Sequence, residues 1–273
     1  MNLHSKPTRG SVGGRLIGRP RARWNAARTE RPWLAEIALF AAALIVYQAS
    51  RVLVVGEPST AFRNAVELIN FEKSSGLFVE LSIQQWLLGH IALTEMLNRF
   101  YMLGHWVFTT IFFVWLYKRR RRIYPYVRNA FLAANMISLV IFMLFPVAPP
   151  RLVSGDGFVD TLRGLSAVDL QRGSLSGLFN PHAAVPSMHF GYAFMIGVVC
   201  AVLARNWALR ILAISYPALV FLTITGTANH YVMDSLAGGV VIALGFVLVQ
   251  GWYMLRGTQL MPARVSAGQI HRR

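Results

Sequence analysis

The chain is poor in cysteine, in acidic residues and in charge altogether. Cys200 is its one cysteine, so an intrachain disulfide and a cysteine-based metal site are both excluded. Inside an apolar run it reads as a small packing residue. Charged residues make up 14% of the 273, where a soluble domain averages about 25%, and 55% of the chain is hydrophobic. Several apolar stretches approach the roughly 20 residues that a bilayer span needs, so this is a polytopic membrane protein. Only 11 acids stand against 27 Lys/Arg, for a net charge of +16. In a soluble domain that excess would suit nucleic acid. Here the basic residues lie in blocks beside the apolar runs, which is a topology signal and argues against a nucleic-acid partner.

Six membrane helices are predicted, at roughly 33–55, 100–117, 124–146, 187–204, 208–228 and 232–255. They give an all-α membrane bundle over residues 32–256, followed by a C-terminal tail at 257–273. The first helix is too long for a signal-peptide core and reads as an uncleaved span. Residues 1–31 hold eight Lys/Arg and one acid among scattered Gly and Pro, the composition of a disordered basic tail. Segment 57–97 is apolar but interrupted by Glu67, Glu72, Lys73, Glu80, Gln84, Gln85 and His90. Leu77, Phe78, Leu81 and Leu88 recur at helical spacing, which suits an amphipathic helix lying at the interface. A seventh span there is the alternative.

Charge decides between the two. With six spans, both tails, Lys118–Arg122, Arg128, Arg205 and Arg210 share one side, which collects 20 of the 27 Lys/Arg. The other side holds 7, together with 9 of the 11 acids. The positive-inside rule then places both termini in the cytoplasm and the protein in the cell membrane. A seventh span would part the N-terminal tail from Lys118–Arg122.

On this topology two polar clusters converge on the extracytoplasmic face. Pro186-Ser187-Met188-His189 opens the fourth helix, and His230-Tyr231-Val232-Met233-Asp234 opens the sixth. Ionisable groups at the edge of a span are costly and mark function. His230 and Asp234 are four residues apart, so on a helix they share a face. The carboxylate there fixes one imidazole nitrogen and makes the other a better nucleophile. Two histidines, one attacking and one protonating the leaving oxygen, suit displacement at phosphorus, and His189 is placed for the second role. Free N–H groups at the start of the fourth helix suit an anion, with the Ser187 hydroxyl beside them. Pro186 fits that helix's first turn, where its missing N–H costs nothing. The sixth helix aims its N-terminal dipole at the same region, and Arg151 adds a forked cation. The loop 147–186 is long for a membrane bundle, as functional loops often are. His182 reads equally as a site histidine or a loop residue, and His105 equally as a pocket or a packing residue. His4, His90 and His271 read as structural, and Arg128 with Lys118–Arg122 as topology anchors.

At these residues the chain resembles the type 2 phosphatidic acid phosphatase superfamily. Within it the chain looks most like the branch of the inositol phosphorylceramide synthases and, more distantly, the sphingomyelin synthases. Pro186-Ser187-x-His189 is similar to the superfamily's second motif and His230-x-x-x-Asp234 to its third. Asn180-Pro181-His182-Ala183-Ala184 and Pro149-Pro150-Arg151-Leu152 resemble the same branch. The resemblance covers roughly residues 33–255. It implies a six-helix core and catalysis without metal or cofactor. It implies His230 as the nucleophile that forms a phosphohistidine, Asp234 as its orienting partner and His189 as general acid. Ser187, Arg151, His182, Asn180 and His105 are then the candidates to bind phosphate or substrate. The substrate implied is a membrane lipid phosphate, and the acceptor is water, another alcohol or a lipid. Three departures stand out. Met188 replaces the usual glycine, Ile224 stands where an arginine usually lies six residues before the third-motif histidine, and no Lys-x6-Arg-Pro first motif is present. The transferase branch tolerates the loss of those cations, which tilts the reading towards transfer of a phosphoryl-linked head group. Simple lipid-phosphate or polyprenyl-diphosphate hydrolysis is the alternative. Two further classes remain open: a zinc hydrolase using His189, His230, Asp234 and His182 as ligands, and a lipid transporter. Against the transporter, the charges cluster at one face and no inverted repeat is visible.

Overall fold

A computed structural model describes residues 32–53, 58–164 and 183–257. The N-terminal tail, nearly all of the C-terminal tail, and the loop residues Asn180 and His182 lie outside the described residues. The chain divides into two units, Met1–Ala42 and Ala43–Arg273. Helix α1 (Pro32–Leu53) is all that is described of the first, and it extends past that unit's end. The second unit is built from α2 (Pro58–Ser75), α3 (Glu80–Leu88), α4 (Ile91–Arg99), α5 (His105–Arg119), α6 (Tyr124–Leu144), a short α7 (Thr161–Gly164), α8 (Met188–Leu203), α9 (Trp207–Gly226) and α10 (Val232–Leu255). Among the described residues there is no strand, only an isolated parallel bridge between Val147 and Ala183.

Local sequence explains where the long helices start and stop. Pro125 sits in the first turn of α6, where it needs no hydrogen-bonded N–H, and Pro146 follows the end of that helix. Ser187 caps α8, its Oγ accepting from Phe190 N. Asn206 caps α9, its Oδ1 accepting from Leu209 N at 2.9 Å. Four helices are long and apolar enough to cross a membrane: Ile91–Arg119, Tyr124–Leu144, Trp207–Gly226 and Val232–Leu255. Trp33–Val46 and Met188–Leu203 are apolar but shorter. Each of the six predicted helices is therefore present as a helix, and four of them reach spanning length. The second begins at Ile91 rather than near 100, because α4 runs into α5 through a π-helical turn at Phe100–Gly104. Large apolar side chains such as Val107, Ile111, Leu212 and Val247 stay exposed on the outer faces. In water such a surface would aggregate; against lipid tails it is at ease.

Segment 57–97 corrects the expectation of one amphipathic helix. It forms α2, α3 and the start of α4, broken at Gly76 and at His90. Its polar side turns inward. Glu72, Glu80 and Gln84 are fully buried, while Phe71, Trp86 and Ile91 are exposed. The buried polar groups serve the loop between α6 and α8. Gln84 donates to Val159 O at 2.8 Å and accepts from Val159 N at 3.0 Å. Asn98 donates to Thr161 O at 3.0 Å, and Asn64 to Pro146 O at 2.8 Å. Apolar contacts join the same parts, with Ala61, Ala65 and Ile69 of α2 packed among Val147, Ala148, Ala184 and Tyr231.

The two site-bearing helices cross at glycine. A Cβ on Gly238 of α10 would lie 2.1 Å from the Ser187 carbonyl oxygen, and one on Gly191 of α8 would lie 3.1 Å from Gly238 O. Small residues at a crossing let backbones approach closely. Gly238→Val should therefore cost about 2 kcal/mol or more through overpacking. Gly251→Ala, where nothing lies within 4 Å of the new Cβ, should be neutral or gain up to about 1 kcal/mol from helix propensity. Melting temperatures of the purified variants in detergent check the contrast.

Candidate active site

The turn from α9 to α10 places His230. Ile224 O accepts from both Asn229 N and His230 N, at 2.9 and 3.1 Å. Between them Ala228 adopts a left-handed φ of 52°, a conformation that non-glycine residues rarely hold outside constrained sites. His230 thus precedes α10, which starts at Val232. This corrects the picture of His230 and Asp234 as helical neighbours. They still meet, because Asp234 folds back over the helix start. Its Oδ2 accepts from Tyr231 N at 2.9 Å and lies 3.1 Å from His230 Nδ1. Nδ1 also lies 3.0 Å from the Ala184 carbonyl oxygen. Both neighbours of Nδ1 are acceptors, so Nδ1 carries the proton and the Nε2 lone pair is free. His230 is almost buried and Asp234 entirely so.

Two further carboxyl groups reach the same helix start. Glu80 Oε1 accepts from Val232 N at 2.6 Å, and Glu72 Oε1 from Met233 N at 2.7 Å. The first N–H groups of a helix have no partner within it. Here those of Tyr231, Val232 and Met233 are taken by Asp234, Glu80 and Glu72. The expectation that this end of the helix faces a bound anion is thereby corrected: carboxyl groups already occupy it. From the sequence alone the two glutamates read as interruptions of an interfacial helix. The rule that singled out the histidines, an ionisable group in an apolar stretch, applied to them equally.

His189 lies in the first turn of α8, its ring 5.6 Å from that of His230, centroid to centroid. It sits within a bowl of rings. Tyr101 stacks on it at 4.3 Å, His105 lies 4.3 Å from it, and Tyr192 stacks on His105 at 4.8 Å. The backbone of Tyr101 hydrogen-bonds the His189 ring from within the π-helical turn, a type of helix irregularity frequent at functional sites. Tyr192 in turn donates to Asn135 Oδ1. His105 thus belongs with His189. Tyr101, Tyr192 and Asn135 had no signal beyond ordinary membrane-helix composition.

Pro186 does not occupy the first turn of α8. It precedes the Ser187 cap and follows a cis peptide bond. Ser187 is buried, and its backbone N–H donates to Asp234 O at 2.9 Å. Arg151 donates through Nε to Asn229 Oδ1 at 2.8 Å and through a terminal nitrogen to Asp160 Oδ2 at 3.2 Å. Its backbone N–H donates to Ala228 O at 2.9 Å. The cation is thus fastened to the turn that carries His230. Ile224 is buried with Ala193 and Val220, and Met188 Sδ accepts from Ser138 Oγ at 2.8 Å. Among the described residues no group of three or more His, Cys, Asp or Glu could hold a metal ion.

Residues 66–248 match the PAP2 superfamily, and the chain belongs to it. One curated relative, the phosphoinositol dihydroceramide synthase of Bacteroides thetaiotaomicron, is 26% identical over 191 residues. That alignment covers 58% of this chain and 61% of the relative's length. No solved structure matches. Residues 66–248, which match the superfamily, contain both histidine clusters, Arg151 and the two glutamates.

Removing the cap tests how the site is held. Ser187→Ala should lower stability by about 1 kcal/mol, the usual worth of a serine N-cap. Ser187→Thr should recover part of that loss in the same melting assay.

Proposed function

We propose that this protein is a multi-pass cell-membrane enzyme that cleaves or transfers a lipid-linked phosphate through a phosphohistidine on His230. The site faces the extracytoplasmic side, and both termini are cytoplasmic. The observation that carries this reading is the fork at His230 Nδ1, bound by Asp234 and Ala184 O. It leaves Nε2 as the nucleophile. Nε2 attacks phosphorus, the bond from phosphorus to the leaving oxygen breaks, and protonated His189 gives its proton to that oxygen. Asp234 stabilises the positive charge that the ring gains. Water or an alcohol then attacks phosphorus and yields its proton to His189, and the N–P bond breaks. About 3 Å from nitrogen to phosphorus and about 3 Å from leaving oxygen to acid is the reach required. A ring separation of 5.6 Å is of that order.

Transfer is favoured over hydrolysis by two observations. Buried Ile224 stands where the resemblance implies a phosphate-binding arginine in the phosphatases, and the curated relative is named a phosphoinositol dihydroceramide synthase. The substrate class proposed is a phosphodiester lipid such as a phosphoinositide, with a lipid alcohol as acceptor. The amide groups of Met188 and His189, Arg151, and the ring nitrogens of His105 are proposed to meet the phosphate and its head group. Asn180 and His182 stay candidates from sequence alone.

His230→Ala should abolish turnover while the protein still folds, and Asp234→Asn should lower it by about 10²–10⁴-fold by destabilising the required tautomer. Full activity in His230→Ala would exclude the phosphohistidine. Incubating purified protein with labelled phosphatidylinositol, phosphatidic acid and polyprenyl diphosphate, with and without alcohol acceptors, separates transfer from hydrolysis. A new phosphorylated product that appears only with the acceptor is the expected result.

A further inference from the structure

Glu72 on α2 and Glu80 on α3 are fully buried, and among the described residues no cation pairs with either. Each uses Oε1 to accept an N–H of the first turn of α10, and Oε2 of each has no donor from any described group. The two carboxyl groups accept the N–H groups of consecutive residues, Val232 and Met233, which makes them neighbours. Two carboxylates have no proton to share, so that contact is repulsive. A single proton on one of them supplies the donor and satisfies both orphaned oxygens at once. We propose that Glu72 and Glu80 are a one-proton positioning pair that clamps α2 and α3 onto the first turn of α10 and thereby fixes His230 and Asp234. The proposal rests on the reading of His230 as nucleophile. Neither glutamate touches the reacting atoms.

The surrounding charges agree. From α10, Asp234 faces the pair, with Tyr231 beside it, while Lys73, next to Glu72 in sequence, points outward to Asp156. Burial first, then the hydrogen bond and charge of Glu80 and the charge of Asp234, push Glu72 up to about 9, against the lowering effect of the Met233 N–H. An acid raised in the folded state adds stability fully below its unfolded value of 4.5 and loses that contribution as pH rises towards 9. The clamp thus loosens towards alkaline pH.

Glutamine copies a protonated carboxyl. In Glu72→Gln or Glu80→Gln the amide oxygen still accepts the helix N–H and the amide nitrogen donates to the remaining carboxylate. In the double variant two amide nitrogens face each other with no acceptor. The expected pattern is non-additive: each single variant loses at most about 5-fold in kcat and the double about 50-fold or more, with KM little changed. Transfer of the labelled head group from micellar phosphatidylinositol to a lipid alcohol acceptor measures it. Melting temperature in detergent from pH 5 to 9 supplies a readout that needs no substrate. Wild type should lose stability across that range, Glu72→Gln should be flatter, and the double variant should melt lowest. Additive effects together with an unchanged pH slope would overturn the pair. Activity in His230→Ala run alongside would instead overturn the nucleophile, and the melting pattern would still decide on the clamp.

Discussion

The first turn of α10 has to find acceptors for its N–H groups where little water is at hand, and the rest of the site depends on how it does so. An unpartnered N–H in such surroundings costs several kcal/mol. Three carboxyl groups answer, one from the helix itself, one from α3 and one from α2. Each reply ties a different element to the same point. Asp234, by bending back to Tyr231 N, also arrives beside His230 Nδ1. Through its carbonyl it holds the N–H of Ser187, so the start of α8 is registered against the start of α10. The capping of one helix therefore sets the distance between the two histidines.

The two helix ends that meet here are electrostatically unlike. The N-terminus of α10 is filled with carboxyl groups, and its partial positive charge is spent on them. The start of α8 carries no acid in its first turn; Ser187 N is taken up by the Asp234 carbonyl, and Phe190 N and Gly191 N by Ser187. A phosphate is repelled by the first and drawn to the second. On the proposed reading the phosphoryl group lies on the α8 side, with His189, and His230 reaches it from α10. Nucleophile and anion site thus sit on separate helices. An acid-rich helix start is compatible with anion chemistry because its carboxyl groups are engaged by the N–H groups of Tyr231, Val232 and Met233, and Asp234 meets His230 at Nδ1 rather than Nε2.

Much of this was legible from residue type and spacing. Helix positions followed from apolar runs, and the chemistry of His189, His230 and Asp234 followed from their rarity in such runs. What stayed hidden has physical reasons. A periodic polar face reads the same whether it meets head groups or the protein interior, so Glu72, Glu80 and Gln84 looked interfacial although they are buried. Ala184 contributes a backbone oxygen, which no side-chain pattern reveals. His230 precedes its helix, and only the folded-back cap brings Asp234 to it. Tyr101 reaches His189 through a π-helical turn that no composition announces.

Position 224 shows how the turn before His230 is framed without a side-chain charge. Where the resemblance leads one to expect an arginine, Ile224 packs into the core, and its carbonyl still organises the turn by accepting two N–H groups. The backbone of the position organises the turn, and its side chain brings no charge. Arg151 approaches the same turn from the loop after α6, yet it shares its charge with Asp160 and a donor with Asn229. A site with one half-neutralised arginine offers less to a phosphomonoester dianion than to a phosphodiester monoanion, since the second negative charge would meet no counterpart. On the proposed reading, that deficit of cations selects a phosphodiester head group and leaves recognition of the rest of the lipid to the apolar faces of the helices.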